Sequence, residues 1–299
     1  MNELEIHICF FIRGKKVIET DEGKFFMVPK GNREKVFRYL ETKKFPFFLP
    51  ILSVYRGTYE VYRYMNDDID INDKAINLVH ILSLLHIKTT TYQEVVLDNI
   101  KKIYEDILNR LDSLFQFYQE LVQNIESQVY MSPDAYLFIR NSSLFFQNLE
   151  QSRQFLEQWY QSKKNATKER LVFLHGSPNL DTFIDGDNPC FMDWDFSHKG
   201  YVIYDFLYFY KKNYLLLEMQ SLFQIYQSKY PFSEEELYLF YSLILLDEKI
   251  QFSSNYYENT ILVQDRVAYA FKARKFVLEQ NQKKQKTNQE EFSKKNYCI

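Results

Sequence analysis

The chain has 299 residues and a formal net charge of −3, and 46% of its residues are hydrophobic. This length is enough for two lobes that each have a core, and the apolar content argues against an intrinsically disordered protein. The near-balanced charge argues against nucleic-acid binding, which needs a clustered basic face. We therefore expect a globular protein with no nucleic-acid partner.

Three cysteines, Cys9, Cys190 and Cys298, are odd in number and far apart. Their spacing fits neither a disulfide framework nor a zinc site and is typical of a reducing compartment. The apolar run at residues 6–12 is too short for a signal peptide or a membrane span. We expect a cytoplasmic protein without a membrane partner.

Residues 1–65 have the pattern of a small antiparallel sheet with one helix. Short β-rich runs alternate with turn signals, and Asn32 is a candidate N-cap for the helix. The predicted strands are residues 6–12, 17–19, 25–28, 51–55 and 59–65. This mixture predicts an α+β arrangement.

Residues 66–280 predict a helical region. Apolar residues between Val96 and Ile125 recur at steps of three and four, which is typical of a long helix. Ser132 and Pro133 have the N-cap and first-position residues of a second long helix. We expect these two helices to form a hairpin within the protein rather than a coiled coil with a partner.

Three further segments carry local signals. Residues 91–94 and 233–236 have the sequence of capping boxes, in which a hydroxyl and a carboxylate satisfy the first helical N–H groups. Residues 281–299 are rich in Lys, Gln and Asn and predict a disordered polar tail.

Residues 171–205 combine several features in a specific order. An apolar strand ends in a His-Gly pair, and a short loop follows. Two β-rich runs flank the turn at residues 185–189, which predicts a hairpin. The hairpin ends in Asp-Trp-Asp at residues 193–195, and a helix begins ten residues later. Each feature is weak alone, but the order is specific.

This order resembles the aminoglycoside-phosphotransferase and choline-kinase-like family, and within it the bacterial spore-coat-type kinase homologues. The resemblance implies a two-lobed protein-kinase-like α+β fold. Its parts are a small antiparallel-sheet N-lobe (1–65) and a large helical C-lobe (66–280) with a long helical hairpin and a catalytic-type hairpin (171–195). It also implies ATP and Mg²⁺ as cofactors, with a nucleotide or small-molecule ligand in the interlobe cleft.

The family loop reads His-Gly-Asp, four residues, then Asn, and its hairpin ends in Ile-Asp-Trp or a close variant. His175 matches the loop histidine, and we expect it to brace the loop rather than to catalyse. Asp193 matches the metal-binding Asp. Asp195 is either a second acid near the metal or a local cap, and the sequence leaves both open. Asp205 resembles the buried Asp that braces the catalytic loop.

Two positions depart from the family pattern. Ser177 stands where the family has its catalytic Asp, and Thr182 stands where it has its metal-binding Asn. A serine hydroxyl is a poor base at neutral pH, and Mg²⁺ prefers carboxylate and amide oxygens. Asp181, beside Thr182, is a candidate to replace the lost carboxylate after a small rearrangement of the loop.

The N-terminal region offers a weaker cofactor site. Lys30 is a candidate phosphate-binding lysine, with Glu34 or Glu41 as its partner, although the family places its lysine at the position of Val28. A surface position for these residues is an equal alternative. The turn around Gly14 has one glycine and only a weak phosphate-loop signal.

The remaining histidines favour ordinary roles. His80 and His86 lie six residues apart, which does not fit the i, i+4 spacing of a helical metal pair. We interpret both as packing or surface residues. Ser177 lacks the Gly-x-Ser-x-Gly sequence of a hydrolase nucleophile.

The sequence leaves three functional hypotheses. The first is a pseudokinase, a degenerate phosphotransferase homologue that binds a ligand or a protein partner. The second is an active ATP- and Mg²⁺-dependent small-molecule kinase in which Asp181 and Asp193 hold the metal. The third is a structural component of the spore-coat type.

Overall fold

The computed structural model describes residues 7–12, 15–67 and 69–296. The chain clusters into two compact units. The first unit is residues 1–93, 170–213 and 221–231, and the second is residues 94–169, 214–220 and 232–299. The segment with the predicted catalytic-type hairpin lies in the first unit, together with the N-terminal sheet.

A five-stranded antiparallel sheet begins the first unit. Its order is β1-β2-β3-β5-β4, and one helix, α1, lies between β3 and β4 along the chain. The bounds are β1 Ile8–Ile12, β2 Lys15–Thr20, β3 Gly23–Pro29, α1 Arg33–Thr42, β4 Ser53–Tyr55 and β5 Tyr59–Arg63. Val17, Phe26 and Val61 are buried on this sheet. These strands correspond to the β-rich runs that the sequence predicted between its turn signals.

The rest of the first unit surrounds the His-Gly loop. Its elements are α2 Ile71–Thr89, β6 Thr91–Glu94, β7 Lys168–Leu174, β8 Phe183–Ile184, β9 Cys190–Phe191, β10 His198–Gly200, α5 Ile203–Asn213 and α6 Met219–Lys229. Strands β10, β7 and β6 form one sheet, and β8 pairs with β9. The N–H of Phe191 donates to the carbonyl of Phe47 at 3.0 Å, so the segment after α1 extends the hairpin.

The second unit is helical. It is built on α3 Leu97–Glu126, α4 Pro133–Lys164, α7 Glu234–Leu245 and α8 Tyr256–Asn296. Helix α4 packs against the other three. Leu111 of α3, Phe145 and Leu156 of α4 and Phe240 of α7 are buried, as their helical spacing predicts.

The fold class predicted from the sequence is confirmed. The structure has a small antiparallel sheet at the N-terminus, followed by a mainly helical region. Helix α4 begins at Pro133, and Ser233 and Glu236 form the predicted capping box. No helix among the described residues is long and apolar enough to span a membrane.

One local prediction was wrong. Residues 91–94 form β6, which pairs with β7, and α3 begins only at Leu97, after Val96 as its N-cap. Helix α8 runs as far as Asn296, in a segment rich in the good helix formers Lys, Gln and Glu. The polar tail at residues 281–299 stays a prediction. Residue 6 of the first predicted strand, Gly14 and Cys298 lie outside the described residues.

Candidate functional site

The carboxylate of Asp205 fixes the His-Gly loop that follows β7. Asp205 lies in the first turn of α5 and is 1% exposed. Its Oδ2 accepts from the N–H of His175 and its Oδ1 from the N–H of Gly176, each at 2.8 Å. One buried carboxylate therefore satisfies two consecutive loop N–H groups, which defines where the loop begins. This is the bracing geometry that the sequence resemblance implies.

A histidine and a tyrosine complete this brace. His86 of α2 is fully buried, with Nε2 3.1 Å from Asp205 Oδ2 and Nδ1 2.6 Å from the hydroxyl of Tyr226. Burial opposes ionisation of Asp205, but the hydrogen bonds that its carboxylate accepts, from His86 and from the N–H of Gly176, outweigh it. Together they hold the pKa of Asp205 below its usual value. His86 is thus a packed residue, as the sequence allowed, with a specific polar role.

His175 is held as a neutral imidazole. Its Nε2 lies 2.6 Å from the carbonyl oxygen of Met192, which can only accept, so Nε2 carries the proton. Its Nδ1 then accepts from the N–H of Ser177 at 3.4 Å. Complete burial lowers the pKa of His175, against the attraction of Asp205. The side chain joins the loop to the end of β9 and is not exposed to a substrate.

Gly176 has a conformation that other residues rarely adopt. Its φ is +88°, and a Cβ added there would lie 2.2 Å from the backbone oxygen of Phe196. The loop therefore passes directly against the 3₁₀ turn Trp194–Phe196. This close approach explains the glycine and ties the loop to the Asp-Trp-Asp segment.

The hydroxyl of Thr182 is used inside the loop. It lies 3.1 Å from the carbonyl oxygen of Ser177 and 3.0 Å from that of Asn179, and it accepts from the N–H of Asn179 at 2.9 Å. A hydroxyl has one donor and two acceptor positions. The Thr182 hydroxyl thus closes a short turn that begins at Ser177. The side chain at the start of this turn is a hydroxyl and not a carboxylate.

Asp193 is bound by a lysine from the N-terminal sheet. It adopts the left-handed conformation, with φ 59° and ψ 53°. Its Oδ2 lies 2.8 Å from Nζ of Lys15, whose side chain is 11% exposed. The same Nζ donates to the carbonyl oxygen of Asp181 at 3.1 Å. The carboxylate expected to bind metal is therefore paired with an ammonium group.

Asp195 joins a second, buried ion-pair network. Its carboxylate pairs with the guanidinium of Arg33, the first residue of α1. Arg33 also donates to Glu60 Oε2 at 2.6 Å, and Tyr62 donates to the same oxygen at 2.7 Å. Burial opposes the charge of Arg33, but the hydrogen bonds that it donates to Asp195 and Glu60 outweigh it and raise the pKa of the guanidinium. Asp195 thus anchors α1.

The donor set at this site does not fit Mg²⁺. Asp193 is paired with Lys15, Asp195 with Arg33, and the Thr182 hydroxyl bonds within its own loop. Across residues 7–12, 15–67 and 69–296, no group of three or more His, Cys, Asp or Glu is placed to hold a metal ion. Protein sites usually give Mg²⁺ one or two carboxylates, and phosphates and water complete its octahedral shell. Here both carboxylates, Asp193 and Asp195, already face a protein cation, which is why the set does not fit.

The structure does not bring the proposed cofactor residues Lys30 and Glu34 together. Lys30 follows the end of β3 and is exposed, and Glu34 pairs with Arg38 one turn along α1. Among the described residues Lys30 has no ion pair, and Glu41 has none either. A lysine beyond the end of the strand projects from a linker rather than from the sheet. The surface alternative therefore describes these residues.

The structure does bring together His175, Ser177, Thr182, Asp193 and Asp205. Asp181 contributes its carbonyl oxygen, while its carboxylate is exposed.

Sequence reasoning missed four residues that hold the site, namely Lys15, Arg33, Glu60 and His86. Glu60 carried a signal, since a lone acid between apolar residues of a strand requires a buried partner. The other three had none, because the aspartate that each of them faces, Asp193, Asp195 or Asp205, lies more than 100 residues away in the chain.

The fold is similar to that of solved phosphotransferases. An aminoglycoside phosphotransferase from Alicyclobacillus acidocaldarius subsp. acidocaldarius DSM 446 has a TM-score of 0.66 at 10% identity, over 93% of this chain and 92% of that chain. A spectinomycin phosphotransferase in complex with AMP has a TM-score of 0.51 at 12% identity, over 92% of this chain and 90% of that chain. At such identities the likeness establishes the fold alone. The chain therefore has the kinase-like phosphotransferase fold that the motif implied.

No protein-family model matches the sequence, and no curated protein sequence matches it.

Proposed function

We propose that this protein is a pseudokinase, a kinase-fold protein that binds a ligand or a protein partner and does not transfer a phosphoryl group. The observation that carries the proposal is the loop from Ser177 to Thr182. Both positions that hold charged or amide groups in phosphotransferases carry hydroxyls here, and the Thr182 hydroxyl is already bonded to the backbone of its own loop.

The chemistry of phosphoryl transfer explains why this loop matters. A kinase loop carboxylate accepts the proton of the attacking hydroxyl, while acidic and amide groups hold the metal on the phosphates. Ser177 carries no negative charge, and the Thr182 hydroxyl is neutral and already bonded to the backbone of its own loop. Losing both roles is expected to reduce the rate about 10³-fold or more.

The state of the acidic residues supports the same proposal. Asp193 is paired with Lys15 and Asp195 with Arg33, so each carboxylate already has a protein cation as its partner. Asp181, the candidate substitute, has an exposed carboxylate 3.5 Å from the side-chain amide nitrogen of Asn179. These contacts support a role for the acidic residues within the protein rather than as catalytic bases.

The bracing machinery remains complete, which favours a retained binding role over simple decay. The Asp205, His175 and His86 network keeps the loop in one conformation although its catalytic residue types are absent. We propose a nucleotide or another small molecule as the ligand, with a protein partner as the second candidate. The solved spectinomycin phosphotransferase holds AMP, which makes nucleotide the first ligand to test.

The test is transfer of labelled γ-phosphate from ATP to a panel of small alcohols with Mg²⁺ present. We expect no turnover above the protein-free background. Turnover by the unaltered chain that is lost in Asp181→Ala would overturn the proposal and favour an active small-molecule kinase. A gain of turnover in the double variant Ser177→Asp, Thr182→Asn would support it, since it restores the two missing residue types.

Binding is measured separately by thermal unfolding with and without ATP. A nucleotide at 100 times its dissociation constant stabilises the folded state by about 2.7 kcal/mol. A rise in Tm would identify nucleotide as the ligand, and an unchanged Tm at millimolar ATP would favour a protein partner. The spore-coat hypothesis remains a prediction, which expression confined to sporulating cells would support.

A further inference from the structure

We infer that the ammonium group of Lys15 takes the place of a divalent cation on Asp193, so that this site works without metal. The inference rests on the proposed function, because it treats Asp193 as the counterpart of a phosphotransferase metal ligand. It goes beyond that function by assigning Lys15, which no sequence motif singles out, as the resident cation.

The contacts of Lys15 resemble those of a bound cation. Its Nζ lies 2.8 Å from a carboxylate oxygen of Asp193 and 3.1 Å from the carbonyl oxygen of Asp181. Carboxylate and carbonyl oxygens are the ligands that hard cations take in proteins. An ammonium group has three N–H donors, and these two oxygens occupy two of them.

The position of Lys15 is fixed by the sheet rather than by a flexible loop. Lys15 is the first residue of β2, where it pairs with Ile12 of β1, and its neighbour Lys16 pairs with Met27 of β3. Its side chain is 11% exposed and that of Asp193 is 31% exposed. Because the ammonium group is tethered to the same chain, its effective concentration at Asp193 is high. A free metal ion must compete with that effective concentration to bind.

The residues around Asp193 give a metal ion few further ligands. Asp195 is the next carboxylate along the chain, and Arg33 engages it. Thr182 bonds within its own loop. Mg²⁺ releases its water reluctantly, so one carboxylate and one carbonyl bind it only weakly, and the ammonium group of Lys15 is enough to keep it off Asp193.

The test is direct binding of Mn²⁺, with free Mn²⁺ measured by electron paramagnetic resonance on the full-length protein. The proteins compared are the unaltered chain, Lys15→Met, Lys15→Arg and the double variant Lys15→Met, Asp193→Asn. Lys15→Met keeps a similar length without charge, and Lys15→Arg is the matched control that retains it. Urea unfolding and circular dichroism establish that each variant is folded, and Lys15→Gln replaces Lys15→Met if the latter does not fold.

We expect Lys15→Met to bind Mn²⁺ at least tenfold more tightly than the unaltered chain. Lys15→Arg should behave like the unaltered chain, and the double variant should lose the gain, because the metal would be held by the carboxylate of Asp193. Mn²⁺ binding by the unaltered chain that disappears in Asp193→Asn would overturn the inference. Absence of any gain in the folded neutral variant, Lys15→Met or its replacement Lys15→Gln, would overturn it as well, because some other feature would then exclude the metal.

The two proposals fail in different ways. Metal binding by the unaltered chain without phosphoryl transfer refutes the role of Lys15 and leaves the pseudokinase proposal standing. Phosphoryl transfer by the unaltered chain refutes the pseudokinase proposal, whatever the Mn²⁺ titration gives.

Discussion

Replacing Gly176 with alanine tests whether the loop is held against the Asp-Trp-Asp segment as the structure indicates. The new Cβ would lie 2.2 Å from the backbone oxygen of Phe196 and 2.6 Å from its carbonyl carbon. Real Cβ atoms essentially never come within 3.0 Å of another heavy atom, so loop and turn must separate by roughly 1 Å in a close-packed region. That movement strains the hydrogen bond from the Gly176 N–H to Asp205.

Two costs add at this position. The positive φ of 88° disfavours alanine by about 1–2 kcal/mol. The steric displacement and the weakened bond to a buried carboxylate add about 2 kcal/mol or more. We therefore expect Gly176→Ala to lower the free energy of unfolding by about 3–4 kcal/mol, measured by urea denaturation with a shared slope for both proteins.

Gly57→Ala is the matched control. Gly57 also has a positive φ, of 72°, but a Cβ there meets no heavy atom within 4 Å. We expect it to cost only the conformational part, about 1–2 kcal/mol. Equal destabilisation by the two substitutions would refute the packing of the loop against Phe196.

Three further outcomes follow from the Asp205 network and from the Arg33 network. Asp205→Asn should lower stability by about 3 kcal/mol in urea denaturation, since an amide cannot accept both loop N–H groups and the bond from His86; a cost below 1 kcal/mol would contradict the brace. Glu60→Gln should cost a similar amount, because it leaves the buried Arg33 with a weaker set of partners, and an unchanged denaturation midpoint would count against that network. Burial lowers the pKa of His175 below its ordinary value of 6.5. Near that pH the unfolded chain therefore binds more protons than the folded chain. The stability that follows from the neutral histidine is present above that pH and is lost on acidification. The free energy of unfolding should therefore fall between pH 7 and 5, and His175→Gln should flatten its pH profile; an unaltered profile would refute the neutral assignment.

Much of the fold was predictable because its signals are local. Helix α4 and the capping box at Ser233 depend on neighbouring residues, and the hairpin of β8 and β9 depends on its turn. The error at residues 91–94 shows the limit of local signals. The same residues serve as a cap or a strand, and pairing with β7 decided between them.

The His-Gly loop was located from the sequence, but the electrostatic state of the site was not. The sequence indicated that Ser177 and Thr182 lack carboxylate and amide groups. It gave no indication that Lys15 forms an ion pair with Asp193 or that Arg33 forms one with Asp195, since these pairs join residues far apart in the chain.

The order of residues in the chain thus determined which chemical groups the loop possesses. Tertiary structure alone decided which cation each remaining carboxylate faces, because the sheet carries Lys15 to Asp193 and helix α1 carries Arg33 to Asp195. Residue types are fixed by covalent sequence, whereas ion pairing depends on distances of a few ångströms that only the folded chain creates.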